Sequence, residues 1–182
     1  MILIGLGANL PTELFGTPRA TLGAALCLFE EQGVSIQQRS PWYQSAPVPI
    51  SNQPWFINGV CEIRCRHTAS QLVKLLLEIE TQIGRVRTVQ NAARIIDLDL
   101  LVYNDVIISA TDTDDLSVPH PRMYDRSFVL LPLRDIAPDW TDPISGKGLT
   151  YFVNNLDSDQ RAEKMIDAQG FHGTEWLGSN IP

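Results

Sequence analysis

The sequence predicts an α+β fold: a ferredoxin-like antiparallel sheet with helices on one face, followed by a C-terminal extension. Three observations carry this expectation. Periodic segments follow the order strand, helix, strand, strand, helix, strand from Ile2 to Val102. Both helical segments open on a capping residue and close on a glycine. One strand, read from Ile95 onward, alternates between aliphatic and acidic side chains over Ile96-Asp97-Leu98-Asp99-Leu100.

The first strand is Ile2-Leu3-Ile4-Gly5-Leu6-Gly7-Ala8, leaving through Asn9-Leu10. The glycines and Asn9 permit a tight exit there. Gly5-x-Gly7 is not a dinucleotide loop, because the full GxGxxG and a P-loop lysine are missing. Thr17-Pro18 starts a helix with Pro at its first position, Leu22, Ala25, Leu26 and Phe29 form its apolar stripe, and Gly33 ends it. Residues 34–43 resume as a strand. Residues 45–54 form a proline-rich loop, and loops of that length inside a compact domain are commonly functional.

Residues 55–65 read as a strand, with Phe56, Asn58 and Val60 on one face and Ile57, Gly59, Cys61 and Ile63 on the other. Asn58 among apolar neighbours is either a satisfied structural amide or an amide that reads a ligand. Thr68-x-x-Gln71 is a capping box, opening a helix that carries Leu72, Leu75, Leu76, Ile79 and Ile83 before Gly84. Glu80 falls off this stripe, as a solvated glutamate or as a site acid near the arginines that follow. Residues 106–108 are expected as a short strand, 111–115 as a mobile polar loop, and 129–136 as a third helix with Pro132 near its first turns. Beyond residue 138 turn signals dominate, with one weakly amphipathic stretch at 151–166. The last twelve residues are expected to be a poorly ordered tail. The expected organisation is therefore a domain over 1–138, with 139–182 an extension of it.

Charge and composition narrow the function. A net charge of −7 argues against a nucleic-acid partner. Of eleven arginines, Arg85, Arg87, Arg94, Arg122 and Arg126 fall in two short segments, against three lysines in the whole chain. Arginine presents a bidentate fork suited to phosphate, so the arrangement points to a phosphorylated small molecule. No apolar run approaches the ~20 residues of a membrane span. No basic n-region or cleavage site is seen, so no signal peptide is expected. Cys27, Cys61 and Cys65 have no metal-site spacing, and their odd number suits a reducing cytoplasm.

The strand from Ile95 holds the chemistry. Ile96, Leu98, Leu100 and Val102 point one way, and Asp97 and Asp99 the other. At ~3.3 Å rise per residue, the two carboxylate-bearing Cβ atoms lie roughly 6.5–7 Å apart. Such a pair can share two hard cations about 3.5–4 Å apart. Taken alone, an Asp-x-Asp on a strand is more often a surface feature than a metal site.

In combination the motifs are specific. Gly84-Arg85-Val86-Arg87, Arg94-Ile95-Ile96-Asp97-Leu98-Asp99 and Val118-Pro119-His120-Pro121-Arg122-Met123, with Arg126 and Phe128, resemble the 6-hydroxymethyl-7,8-dihydropterin pyrophosphokinases of folate biosynthesis. The likeness runs from residue 2 to about 138. It implies transfer of the β,γ-diphosphate of ATP to the pterin hydroxymethyl group, with release of AMP. It further implies two Mg²⁺ ions on Asp97 and Asp99, and arginines Arg87, Arg94 and Arg126 on the phosphates with Arg85 close by. The catalytic set is then Arg85, Arg94, Asp97 and Asp99. Glu80, Ser117 and His120 would contact the nucleotide. The pterin would lie between Phe56 and Phe128, read by Asn58, Asp97 and the backbone around Ser45, Ala46 and Val48. The expected partners are ATP and the pterin alone, with no nucleic acid or membrane, and the expected state is a monomer.

Two departures from the family pattern stand out. Many members have Arg-Trp-Gly-Pro where this chain has Gln90-Asn91-Ala92-Ala93, which resembles an alternative loop within the family. Asp115 replaces a second arginine, which weakens the expected adenine-side contacts. Two rival readings stay open from sequence. One is a catalytically silent pterin- or nucleotide-binding protein on the same fold. The other is a ferredoxin-like interaction module whose arginines bind an acidic partner.

Overall fold

The computed structural model describes residues 1–85, 93–111 and 115–165. Arg87, the Gln90-Asn91-Ala92 part of the altered loop, most of the polar loop at 111–115 and the expected tail lie outside them. In chain order the elements are β1 (Ile2–Ala8), α1 (Pro18–Glu31), β2 (Ser35–Arg39), β3 (Tyr43–Ser45), β4 (Phe56–Arg64), α2 (Ala69–Gln82), β5 (Asp97–Tyr103), α3 (Ser127–Ile136), α4 (Leu149–Asn154) and β6 (Ala162–Lys164). A 3-10 turn, Met123–Asp125, precedes α3. Among these residues no helix is long and apolar enough to cross a membrane.

The expected α+β architecture is present. Strand β1 is buried along its whole length and pairs antiparallel with β4 on one side and β5 on the other. An apolar run suits a strand with neighbours on both edges. The six-stranded sheet runs β5-β1-β4-β3-β6, and β2 also pairs with β4. Ile4, Leu6, Ile63, Leu98 and Leu100 meet α1 and α2 on one face, around Leu22, Phe29, Leu72, Leu76 and Ile79. Full burial stabilises each such aliphatic by about 1.5–3 kcal/mol. Thr17 caps α1, and Thr68 with Gln71 forms the complete capping box of α2. The other face carries a second core, in which Leu3, Val60 and Leu101 pack against α3, Trp140 and α4.

Four local expectations change. The strand at 34–43 is interrupted: β2 and β3 pair with successive parts of β4, with Pro41 and the fully buried Trp42 between them. Pro41 cannot donate to a ladder, which breaks the edge there. Residues 106–108 form no strand; Ile108 alone bridges to Val118, while Val106 and Ile107 are exposed. Val102 does not share a face with Leu98 and Leu100. The register slips between Leu3 and Ile4, making Leu101 the extra residue of a bulge, so Leu101 and Val102 both reach the second core. Finally, β6 forms within the stretch read only as weakly amphipathic, because β3 offers it a free edge to pair with.

Candidate active site

Strand register builds the floor of the site. Gly7 lies between Asn58 on β4 and Asp97 on β5, and Gly5 between Val60 and Asp99. With no side chains on the two glycines, a groove opens between Asn58 and the aspartates. A Cβ on Gly7 would meet Asn58 Oδ1 at 3.2 Å, so space, and not turn geometry, calls for glycine here. Over this floor is a cleft of about 340 Å³. Ser45, Ala46, Val48 and Phe56 line it from β3, the proline loop and the start of β4, and Arg126 and Phe128 from the start of α3. Arg94, Asp97, Asp99 and Asn58 complete it.

The charges in the cleft are paired with one another. Asp97 Oδ1 accepts from Arg85 Nη1 at 2.7 Å, and its Oδ2 from Arg94 Nη1 at 2.6 Å. Arg85 Nη1 also donates to Glu80 Oε1, which accepts the Leu98 backbone N–H at 2.8 Å. Glu80 is therefore no solvated glutamate. It is 1% exposed and fastens Arg85 to the backbone of β5. Gly84, at φ +97°, lets the chain leave α2 in the direction that returns Arg85 to Glu80.

Asp99 Oδ2 lies 3.6 Å from Arg126 Nη1. Burial and the neighbouring Asp97 charge push the Asp99 carboxyl above its ordinary range, against the pull of His120, Arg126 and Arg122. Burial lowers His120, while Asp99 opposes that shift. The Arg122 backbone N–H donates to His120 Nδ1 at 3.1 Å, which makes Nδ1 the acceptor of the neutral ring. Burial and Arg122 lower Arg126. For Arg85, burial disfavours the charge, but Asp97 and Glu80 outweigh it and raise the pKa. Each guanidinium stays protonated at neutral pH.

Aromatic and amide groups occupy the rest of the cleft. The Arg94 guanidinium lies 5.9 Å from the Phe56 ring and that of Arg126 5.5 Å from the Phe128 ring. Asn58 Nδ2 donates to Ser45 Oγ at 2.9 Å, so one half of this amide is structural, while Asn58 still lines the cleft. Of the residues expected at the site, Arg85 and Glu80 stand behind Asp97. Ser117 and His120 do not line this cleft, although His120 acts electrostatically on Asp99.

Sequence reasoning missed Asn9. It is buried, accepts the Arg94 N–H on Oδ1 at 2.7 Å and donates from Nδ2 to Pro54 O at 3.1 Å and Gln53 Oε1 at 3.3 Å. One side chain thereby ties the Arg94 segment to the proline loop. The signal was available: an amide between Ala8 and Leu10 at the end of a buried strand needs partners just as Asn58 does.

Comparison with known proteins follows the same lines. Residues 3–138 match the family model for 7,8-dihydro-6-hydroxymethylpterin-pyrophosphokinase (HPPK). The chain is 36% identical over 155 residues to a 2-amino-4-hydroxy-6-hydroxymethyldihydropteridine pyrophosphokinase of Synechocystis sp., covering 85% of this chain and 75% of that one. It is 37% identical over 135 residues to the Bacillus subtilis protein of the same name, covering 74% and 76%. A crystal structure of Plasmodium falciparum HPPK-DHPS superposes with a TM-score of 0.64 at 15% identity, over 84% of this chain and 42% of that longer chain, a likeness of fold. This chain thus spans less than half of that solved protein. By its family match, and by the aspartate, arginine and aromatic residues gathered in one cleft, the chain belongs to the 7,8-dihydro-6-hydroxymethylpterin-pyrophosphokinase family.

Proposed function

We propose that the chain transfers the β,γ-diphosphate of ATP to the 6-hydroxymethyl group of 7,8-dihydropterin, giving AMP and the pterin diphosphate for folate biosynthesis. The observation that carries this reading is the row Asn58, Gly7, Asp97 across three strands, with Arg94 and Arg126 lining the same cleft. It places an amide suited to a heterocycle beside carboxylates and cations suited to a triphosphate. Phe56 and Phe128 offer faces for a flat ring, and Asn58 with the backbone of Ser45, Ala46 and Val48 offers its polar edge donors and acceptors. Little covalent chemistry is asked of the protein in such a transfer, so positioning and charge neutralisation carry the catalysis.

Asp97 and Asp99 would hold Mg²⁺. Both carboxylates line the cleft, and a hard cation would offset the charge of two acidic groups set side by side. Among the described residues no group of three His, Cys, Asp or Glu side chains could form a metal cage. Two carboxylates would then share the ions with phosphate oxygens, as Mg²⁺ sites at phosphates commonly do. Two such ions, held by Asp97 and Asp99, would supply positive charge to the triphosphate. Arg94 and Arg126, with Arg87 and Arg85, would turn to the phosphates, and Glu80, Ser117 and His120 would serve the nucleotide. We further infer a monomer, acting in the cytoplasm, which suits three free cysteines. Residues 1–138 would be the catalytic domain and 139–182 its extension.

The test is AMP release from Mg-ATP and 6-hydroxymethyl-7,8-dihydropterin. Asp97→Ala and Asp99→Ala should each lower turnover at least about a thousandfold, or about 4 kcal/mol of barrier, with an unchanged circular dichroism spectrum. Turnover near wild type in either variant overturns the metal assignment. Binding of both substrates without AMP would make the protein a silent binder.

A further inference from the structure

The first turn of a helix leaves backbone N–H groups without intrahelical acceptors, and a Ser, Thr, Asp or Asn at the N-cap ordinarily takes one. Helix α3 has Arg126 at that position, and its side chain makes no cap. The guanidinium is directed to the cleft instead, toward Asp99 and the Phe128 ring. The missing acceptor arrives from Gln160. Ser127 N–H donates to Gln160 Oε1 at 3.0 Å, and Gln160 Nε2 donates to the Asp125 carbonyl. One amide therefore holds the backbone on both sides of Arg126.

The same segment also fastens the other wall of the cleft. Ala46 N–H donates to Arg161 O at 3.1 Å, and Ala162 of β6 pairs with Ser45 of β3. Lys164 Nζ lies 2.9 Å from Asp135 Oδ2, which accepts from Tyr43 Oη at 2.7 Å, joining β6, α3 and β3. The bracing residues Gln160, Arg161, Ala162 and Lys164 themselves lie C-terminal to residue 138, where the family match ends.

We propose that Gln160 is a positioning residue for the diphosphate transfer. It accepts the first N–H of α3, which the donor-only Arg126 side chain cannot do, and fixes Arg126 and Phe128 relative to Ser45 and Ala46. The proposal rests on the functional reading above.

The experiment uses the full chain with Gln160→Ala, Gln160→Met and Gln160→Glu. Glu keeps an acceptor for the Ser127 N–H; Met keeps the length and supplies none. Steady-state kinetics with the hydroxymethyl dihydropterin and Mg-ATP are read beside Tm and amide exchange at Ser127. A lost cap on a catalytic helix should lower kcat/KM for the pterin about tenfold in the Ala and Met variants. Gln160→Glu keeps the Ser127 acceptor but loses the donor to the Asp125 carbonyl, so it should recover part of that loss, and Ser127 exchange should quicken in Ala and Met only. Ala and Met variants with wild-type kcat/KM, or a Glu variant as slow as Met, overturn the proposal. If the wild type forms no AMP, the functional reading fails. Ser127 exchange then decides the brace, and unchanged protection in Ala and Met overturns it as well.

Discussion

On one face of the sheet, Ile4, Leu6, Leu98 and Leu100 are filled in by the stripes of α1 and α2. On the other, the same two strands present Gly5, Gly7, Asp97 and Asp99 to a cleft. The two faces differ by one step in each strand, since alternate side chains point to opposite sides. The first face gains stability from apolar volume. The second gives volume up at its glycines and holds like charges close together, so its order depends on arginines, amides and imported caps. A single strand can thus serve stability with its even residues and chemistry with its odd ones.

Three substitutions probe that division, in descending order of expected effect. Leu76→Ala empties a fully buried site under α2. It should cost about 3 kcal/mol of unfolding free energy, measured by denaturant titration, while kcat per folded molecule stays at the wild-type value. A comparable fall in kcat would mean that the two faces are not separable. Gly7→Ala is the reverse case, since the new methyl meets Asn58 Oδ1 and leaves the apolar core alone. Displacing Asn58 should weaken pterin binding by about tenfold, or about 1.4 kcal/mol, seen by calorimetry, with little change in Tm.

The smallest effect is expected at Asp142. Its carboxylate accepts from Tyr124 Oη at 2.8 Å, Ser145 N–H at 2.8 Å and Ser145 Oγ at 2.6 Å. Burial works against the charge, but these hydrogen bonds outweigh it and hold the carboxyl below its ordinary range. The group therefore contributes stability above the unfolded carboxyl pKa, and loses it as pH falls through the lower folded value. Asp142→Asn should cost about 1 kcal/mol at neutral pH and less in acid. A penalty that does not shrink in acid would count against this account.

Much of this was legible in the sequence, for identifiable reasons. Thr17, Thr68 and Gln71 announced their helices because capping is local. Asp97 and Asp99 pointed to the cleft only in company with the nearby arginines and Val118-Pro119-His120-Pro121, because an Asp-x-Asp by itself is more often a surface feature. The bulge at Leu101 was not legible, since it depends on the pairing of β5 with β1. Strand β6 was hidden because three residues have no periodicity of their own and exist as a strand only against β3. Gln160 and Asn9 act through partners 33 and 85 residues away in sequence, beyond the reach of local pattern.

Arg85 and Arg94 together occupy both oxygens of Asp97, and Arg126 stands near Asp99. The site is consequently its own counterion. An arriving triphosphate does not fall into a bare positive basin; it takes over cations that carboxylates already hold. Binding is then an exchange of partners, and its dependence on ionic strength should be shallower than the number of arginines alone would suggest. The long-range pull on the substrate is modest, and discrimination falls to whichever anion can make the exchange complete.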